Sequence, residues 1–378
     1  MGRRRDRTRR YKVASAILSL IAVGFVLSLV GCSSFGGDVA GDRLRRVEAS
    51  PHYRDGAFFN TVPQSPGSVG LYWDYLVEQL FGDQIRVPPS PIPVVPLSLT
   101  DSDAPPATGL RAVWLGHASV YLELDGVRLL VDPMFSERAS PFGFVGPERF
   151  HAPPIALADL PKIDAVVISH DHYDHLDMAT IMALAAKGSR FFVPLGVGAH
   201  LEEWHVPSSQ IIELDWWESK KIEGLEIICT PSRHYSGRGV FDFKETFWSS
   251  WSIVGPRHRV FYSGDTGFSD HFQTIGDKLG PFDLSIIKVG AYGPGASWFD
   301  IHMVPEHAVD AHVAVQGRRM LPVHWATFNM AFHDWDEPIK RAIKAANDQA
   351  VDLVTPRVGD VVVAGQPFVS QQWWEHRE

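Results

Sequence analysis

His170-Asp171-His172-Tyr173-Asp174-His175 follows directly on Ala165-Val166-Val167-Ile168-Ser169, an apolar run with the composition of a buried strand. Three imidazoles and two carboxylates within six residues have no use in a solvated loop, and an apolar core would leave them unsatisfied. The hexapeptide therefore reads as a metal-ligand motif at a strand end. His170 and His172, at alternating positions, can face one ion. Asp174 and His175, where the chain turns into the following helix, can then face a second. Asp171 is expected to point outward with no ligand role, a hydrogen bond to a ligand being the alternative.

Three later segments repeat the pattern of a strand followed by a ligand. His234 ends Thr230-Pro231-Ser232-Arg233-His234, Asp265 lies in Tyr262-Ser263-Gly264-Asp265-Thr266-Gly267, and His324 follows Leu321-Pro322-Val323. Strand ends converging at one sheet edge would bring these residues together, and seven ligands suffice for two metal ions.

The motifs sit in a β-rich texture that begins at Arg111. Strands are expected at Ala112–Leu115, Ser119–Leu124, Val127–Val131, Ala165–Ser169, Arg190–Val193, Leu225–Cys229, Ser250–Val254 and Arg259–Ser263, with a hairpin turn at Asp125-Gly126. Helical spacing marks Met178–Lys187, Pro305–Gln316 and Pro338–Asn347. Strands interspersed with helices imply one α/β domain of layered sheets. Residues 32–110, rich in Gly, Pro and Ser, read as a tether and an N-terminal extension, with a short helix near Tyr72–Leu80 and aromatic side chains such as Phe58 packing on the body. Trp216, Trp217, Phe247, Trp248 and Trp251 read either as core or as an acyl-chain groove. Cys229 reads as a buried core residue without a role.

With these residues in view, the chain resembles the metallo-β-lactamase fold superfamily, whose mark is His-X-His-X-Asp-His followed by a lone His, a bridging Asp and a last His. The resemblance covers roughly residues 111–350 and implies an αββα sandwich. It implies that His170, His172 and His234 hold one zinc ion, that Asp174, His175 and His324 hold the other, and that Asp265 bridges them. Within the superfamily the chain looks most like N-acyl-phosphatidylethanolamine-hydrolysing phospholipase D and its bacterial relatives. The matching segments are Trp114-Leu115-Gly116-His117-Ala118-Ser119, Val131-Asp132-Pro133-Met134-Phe135-Ser136, Gly146-Pro147-Glu148-Arg149-Phe150, Lys288-Val289-Gly290-Ala291-Tyr292, His302-Met303-Val304-Pro305-Glu306 and His324-Trp325-Ala326-Thr327-Phe328. The branch implies phosphate contact at His302, for which helix capping is the competing role. His117 reads either as support behind the ligands or as strand packing.

The chemistry expected is hydrolysis by a hydroxide held between two zinc ions, with Asp174, Asp265 and His302 as its catalytic side chains. A phospholipid or related amphiphile is the expected substrate; a lactone, amide or β-lactam is the alternative. A non-catalytic lipid-binding or envelope protein would have no need of seven converging ligands. Di-iron members of the fold carry an acidic residue where His172 stands and add a flavin domain, and this chain has neither.

Residues 1–31 hold seven basic residues against one acid and include the apolar run Val13–Val30, which ends at Leu29-Val30-Gly31-Cys32. The stretch resembles a bacterial lipoprotein signal, which implies cleavage after residue 31, lipidation of Cys32 and a body held at the cell envelope outside the cytoplasm. An uncleaved signal anchor is the alternative, with the same orientation. The whole chain carries a net charge of −9, so residues 32–378 stand at −15. An acidic body argues against nucleic acid as a partner. A hydrophobic share of 45% excludes a disordered chain, and the hydrolase domain is expected over residues 111–378.

Overall fold

The computed structural model describes residues 33–65, 77–78, 81–100, 105–293 and 296–375. The expected signal segment, Cys32 and most of the expected helix at Tyr72–Leu80 lie outside the described residues. Among the described residues no helix is long and apolar enough to cross a membrane.

A two-stranded hairpin, β1 (Tyr53–Arg54) and β2 (Ala57–Phe58), precedes two seven-stranded sheets. The first sheet contains β3 (Leu110–Gly116), β4 (Ser119–Leu124), β5 (Val127–Val131), β6 (Ala165–Val167), β7 (Arg190–Pro194), β8 (Ile211–Leu214) and the late β16 (Val361–Val363), in the order 16-3-4-5-6-7-8. The second contains β9 (Ser219–Ile222), β10 (Leu225–Thr230), β11 (Ser250–Val254), β12 (Arg259–Tyr262), β13 (Phe282–Lys288), β14 (Gly317–Val323) and β15 (Asp352–Leu353), in the order 15-14-13-12-11-10-9. Each sheet has three antiparallel pairings and then three parallel ones. The turn Asp125-Gly126 has positive φ at both residues, which suits a tight hairpin between Leu124 and Val127.

Side-chain alternation explains why the strands are apolar on both faces. Ala112 and Trp114 of β3 enter the core between the sheets, together with Ile227, Ile253 and Ile286 of the second sheet. Val113 and Leu115 enter a separate core on the outer face, beneath Ile181 and Leu184 of the helix Met178–Ala186 and Leu201 of the helix Gly198–Glu203. On the far side, Phe272 of the helix His271–Leu279 lies edge-on to Phe261, and the helices Pro305–Ala314 and Glu337–Asp348 complete the outer layer. The result is an αββα sandwich.

Of the stretch expected as a tether and extension, residues 33–65 are packed on the body. Arg43 pairs with Glu202 and Glu213 at 2.7 Å each, Ser50 Oγ donates to Asp215 at 2.6 Å, and Phe58 stacks on Phe247 at 4.4 Å. The two aromatic clusters are core: Trp216, Phe247, Trp248 and Trp251 are buried, and only Trp217, 36% exposed, lies beneath Lys278. Cys229 is buried.

Candidate metal centre

The ligand candidates are carried to one edge of the sandwich by strand ends. Residue 170 follows β6, Asp265 follows β12 and His324 follows β14, three strands with parallel partners; His234 follows β10. Close packing at this edge dictates glycine twice. A Cβ on Gly264 would meet Ser169 Cβ and Ser249 O at 2.7 Å each, and one on Gly290 would meet His324 O at 2.0 Å. Positive φ at His117, His324 and Ala326, none of them glycine, places backbone strain beside the ligands.

The first group is His170, His172 and His234. His170 Nε2 lies 2.9 Å and His234 Nε2 lies 3.4 Å from His172 Nδ1. Hydrogen bonding on the far side of two rings sets their tautomers. Ser169 Oγ donates to Asp132 Oδ2 and so accepts from His170 Nδ1 at 2.9 Å; His234 Nδ1 donates to Ile301 O at 3.0 Å. The Nε2 lone pairs of both rings therefore face inward, as cation ligands require.

The second group is Asp174, His175 and His324, with Asp265 between the two groups. His175 Nε2 lies 3.2 Å from Asp174 Oδ2 and 3.4 Å from Asp265 Oδ2; His324 Nε2 lies 3.3 Å and 3.2 Å from the same atoms. Asp265 Oδ2 is also 3.9 Å from His234 Nε2. His175 Nε2, His324 Nε2 and Asp265 Oδ1 are buried with no hydrogen-bond partner, a condition native interiors avoid. A donor set of imidazole nitrogens and carboxylates, several of them orphaned, fits divalent metal ions.

Electrostatics separates the groups. Burial holds the His170 and His234 rings well below the ordinary imidazole range, so they are neutral. At His175 burial acts in the same direction but is outweighed by Asp174, Asp265 and Asp132, and the ring is pushed well up. Those carboxylates favour a positive charge that a ring proton or a metal ion supplies. Asp174 and Asp265 are held well below the usual carboxylate range, burial being outweighed by the cationic groups around them, His175 foremost for Asp174 and His324 for Asp265.

Other residues hold the ligands. Asp132 accepts from Ser169 N and Oγ, His175 Nδ1 and Tyr262 Oη, and so stands behind both His170 and His175. His117 Nε2 lies 2.8 Å from Asp174 Oδ2, and burial pulls that ring down to about 3. His302 Nδ1 is 2.9 Å from Lys288 Nζ and 3.6 Å from Asp265 Oδ2, while the cap of the following helix is Val304. Asp171 does not point outward: it is 1% exposed and accepts from Gly237 N at 2.8 Å and Thr246 Oγ1 at 2.7 Å, with His200 Nε2 at 3.3 Å. A carboxylate flanked by two ligand loops is better satisfied inward, where three donors wait. Sequence reasoning gave no role to Lys288, Tyr262, His200 or Asn60; Asn60 donates to His234 O at 2.8 Å and accepts from His234 N at 3.1 Å. Lys288, a cation ending a buried strand, carried the one signal that could have been read.

Residues 127–325 match the family described as the Beta-lactamase superfamily domain. An uncharacterized protein of Mycobacterium tuberculosis is 43% identical over 379 residues, covering 97% of this chain and 99% of the relative. N-acyl-phosphatidylethanolamine-hydrolyzing phospholipase D 1 of Caenorhabditis elegans is 37% identical over 281 residues, covering 70% of this chain and 78% of the relative. Igni18, a metallo hydrolase of the archaeon Ignicoccus hospitalis, shares the fold with a TM-score of 0.52 at 22% identity, over 67% of this chain and 97% of that one. By its sandwich, its edge of imidazoles and carboxylates and these relatives, the chain belongs to the metallo-β-lactamase superfamily, among its metal-dependent hydrolases.

Proposed function

We propose that the protein is a zinc-dependent phosphodiesterase of phospholipase D type, cleaving N-acyl-phosphatidylethanolamine-like lipids at the cell envelope, where acyl chains on Cys32 hold it. The observation that carries the reading is the pair of Lys288 and His302 beside Asp265. Lys288 Nζ donates to Gly290 O at 2.7 Å and to His302 Nδ1 at 2.9 Å. Burial lowers this lysine to about 8, so it is still protonated at neutral pH, and His302 is left with its proton on Nε2. A cation and an N–H donor beside the metal ligands suit the charged oxygens of a phosphodiester, which a lactone or β-lactam carbonyl lacks. The C. elegans relative supports the same branch.

Two bound zinc ions would supply a water of lowered pKa and neutralise charge on the phosphate oxygens. His170, His172 and His234 would hold one, Asp174, His175 and His324 the other, with Asp265 shared. His117 keeps Asp174 turned toward the centre. His302 orients the phosphate through Nε2–H, and Lys288 holds that ring in place.

Purified protein is to be assayed against phosphodiester lipids and, in parallel, against lactones and β-lactams. The expected result is turnover of the phosphodiesters, with His302→Ala slower by roughly 10²–10⁴ and its metal content that of the parent. Turnover of lactones alone, or a fully active His302→Ala, would overturn the phosphodiester reading. The lipid-anchor reading fails, in favour of the signal anchor, if the parent is found uncleaved and takes up no more labelled fatty acid than Cys32→Ala.

A further inference from the structure

The two loops that carry His170, His172 and His234 are gripped from outside by the start of the described chain. The first grip passes through Arg238, whose guanidinium is buried, with the residue 5% exposed. Its Nη1 donates to Asp171 O at 2.5 Å and to Leu176 O at 3.0 Å, the carbonyls that bracket the ligand loop. Its Nε and Nη2 both donate to Ser34 O, at 3.1 Å and 2.7 Å. Trp204 Nε1 donates to Ser33 O at 2.5 Å, and Gly36 lies against His200, the ring that reaches Asp171. A Cβ on Gly36, where φ is +87°, would meet His200 Nδ1 at 2.1 Å.

The second grip is Asn60, which bonds both backbone groups of His234 and also accepts from Trp248 Nε1 at 2.9 Å. An amide that satisfies the N–H and the C=O of one residue fixes that residue's place as a strand partner would.

We propose that Ser34 and Asn60 are the two fastening points of an N-terminal strap that holds the loops of His170, His172 and His234 in ligating register, so that the strap governs how firmly the centre keeps its metal. Arg238 and His200 are its positioning residues. A guanidinium taken out of water demands that each N–H find an acceptor, and Ser34 O serves two of them. Lifting the strap leaves those donors unpaired and frees the loop they pin. The inference rests on the metal reading of the site alone, and no substrate enters its test.

The test uses the full chain in detergent, loaded with zinc, and follows zinc release into an excess of a chromogenic chelator, with the melting temperature of the metal-free protein measured alongside. Gly36→Ala lifts the first grip and Asn60→Ala removes the second. Gly41→Ala is the control: it lies in the same segment with φ of +59°, but its Cβ would meet nothing within 4 Å. Release is expected to quicken about tenfold or more in both strap variants, the scale seen when a ligand's support is lost, and to stay within about twofold of the parent in the control. Arg238→Met should quicken it further; should that variant not fold, Gly36→Ala and Asn60→Ala decide. Parental release rates in both strap variants, or an equal gain in the control, would overturn the strap. A parent that takes up no zinc sinks the metal reading itself, and the strap with it.

Discussion

The two ligand groups of the centre rest on different supports. His170, His172 and His234 are neutral donors on loops, and the inward lone pairs of His170 and His234 are set by hydrogen bonds to Ser169 Oγ and Ile301 O. His175 and His324 instead face two carboxylates, and the second group is backed by Asp132 and His117. A cation at the neutral group would need three rings correctly aimed, whereas one at the anionic group would be attracted by charge before the geometry is perfect. Loop placement should therefore matter most on one side and charge on the other, with Asp265 and Asp132 serving both.

The largest effect should come from the shared carboxylate. Asp265→Ala is expected to bring hydrolysis to background and to strip metal from both groups. His170→Ala should also abolish hydrolysis yet keep metal in the anionic group. Metal analysis, circular dichroism and activity on any accepted substrate check this pair. Activity within about tenfold of the parent would refute the ligand roles, and identical metal loss in the two variants would erase the distinction between the groups.

A smaller effect is expected at His117, which touches only the anionic group. His117→Leu should weaken metal binding there by roughly 10–100-fold and leave the three-histidine group unaffected. Titration with zinc against a competing chelator resolves the two classes. Equal weakening of both would break the comparison.

The smallest effect supplies a baseline outside the centre. His312 is buried against Ser285 Oγ at 2.7 Å, and burial lowers the ring to about 4. Its unfolded counterpart titrates near the ordinary 6.5, so between pH 6.5 and 4 the unfolded chain binds the extra proton. Stability from this group is complete above pH 6.5 and is lost as pH falls toward 4, at up to about 1.4 kcal/mol per pH unit. Melting of the metal-free protein over that range should be less steep in pH for His312→Asn. An unchanged slope would show that His312 is not a source of the acid sensitivity.

The ligand set was legible in the sequence because its chemistry admits few other uses. A strand that ends in His-X-His-X-Asp-His cannot be explained by packing, and His234, Asp265 and His324 each follow a strand. The supports were not legible, because they come from far along the chain: Asn60 meets His234 across 174 positions, and Ser34 meets Arg238 across 204. Nothing local marks either residue. β13 escaped notice for a related reason. Ser285 and Lys288 interrupt its apolar run, yet both are satisfied inside, Ser285 by His312 and Lys288 by Gly290 O. Composition also misled at the start of the described chain, where glycines and serines suggested slack. Those small residues instead let the backbone come close enough for Arg238 and His200 to use it.

The two sheets meet in sequence at a short join, β8 ending at Leu214 and β9 beginning at Ser219. His170, His172, Asp174 and His175 precede that join, while His234, Asp265 and His324 follow it. Neither half of the chain owns a complete ligand group, since each group draws on both sides. The centre is thus a seam, and either ligand group is complete only once the halves have docked in register. A metal bound at full strength would consequently mark a molecule that finished folding, and a chain with one half astray would offer only a partial ligand set.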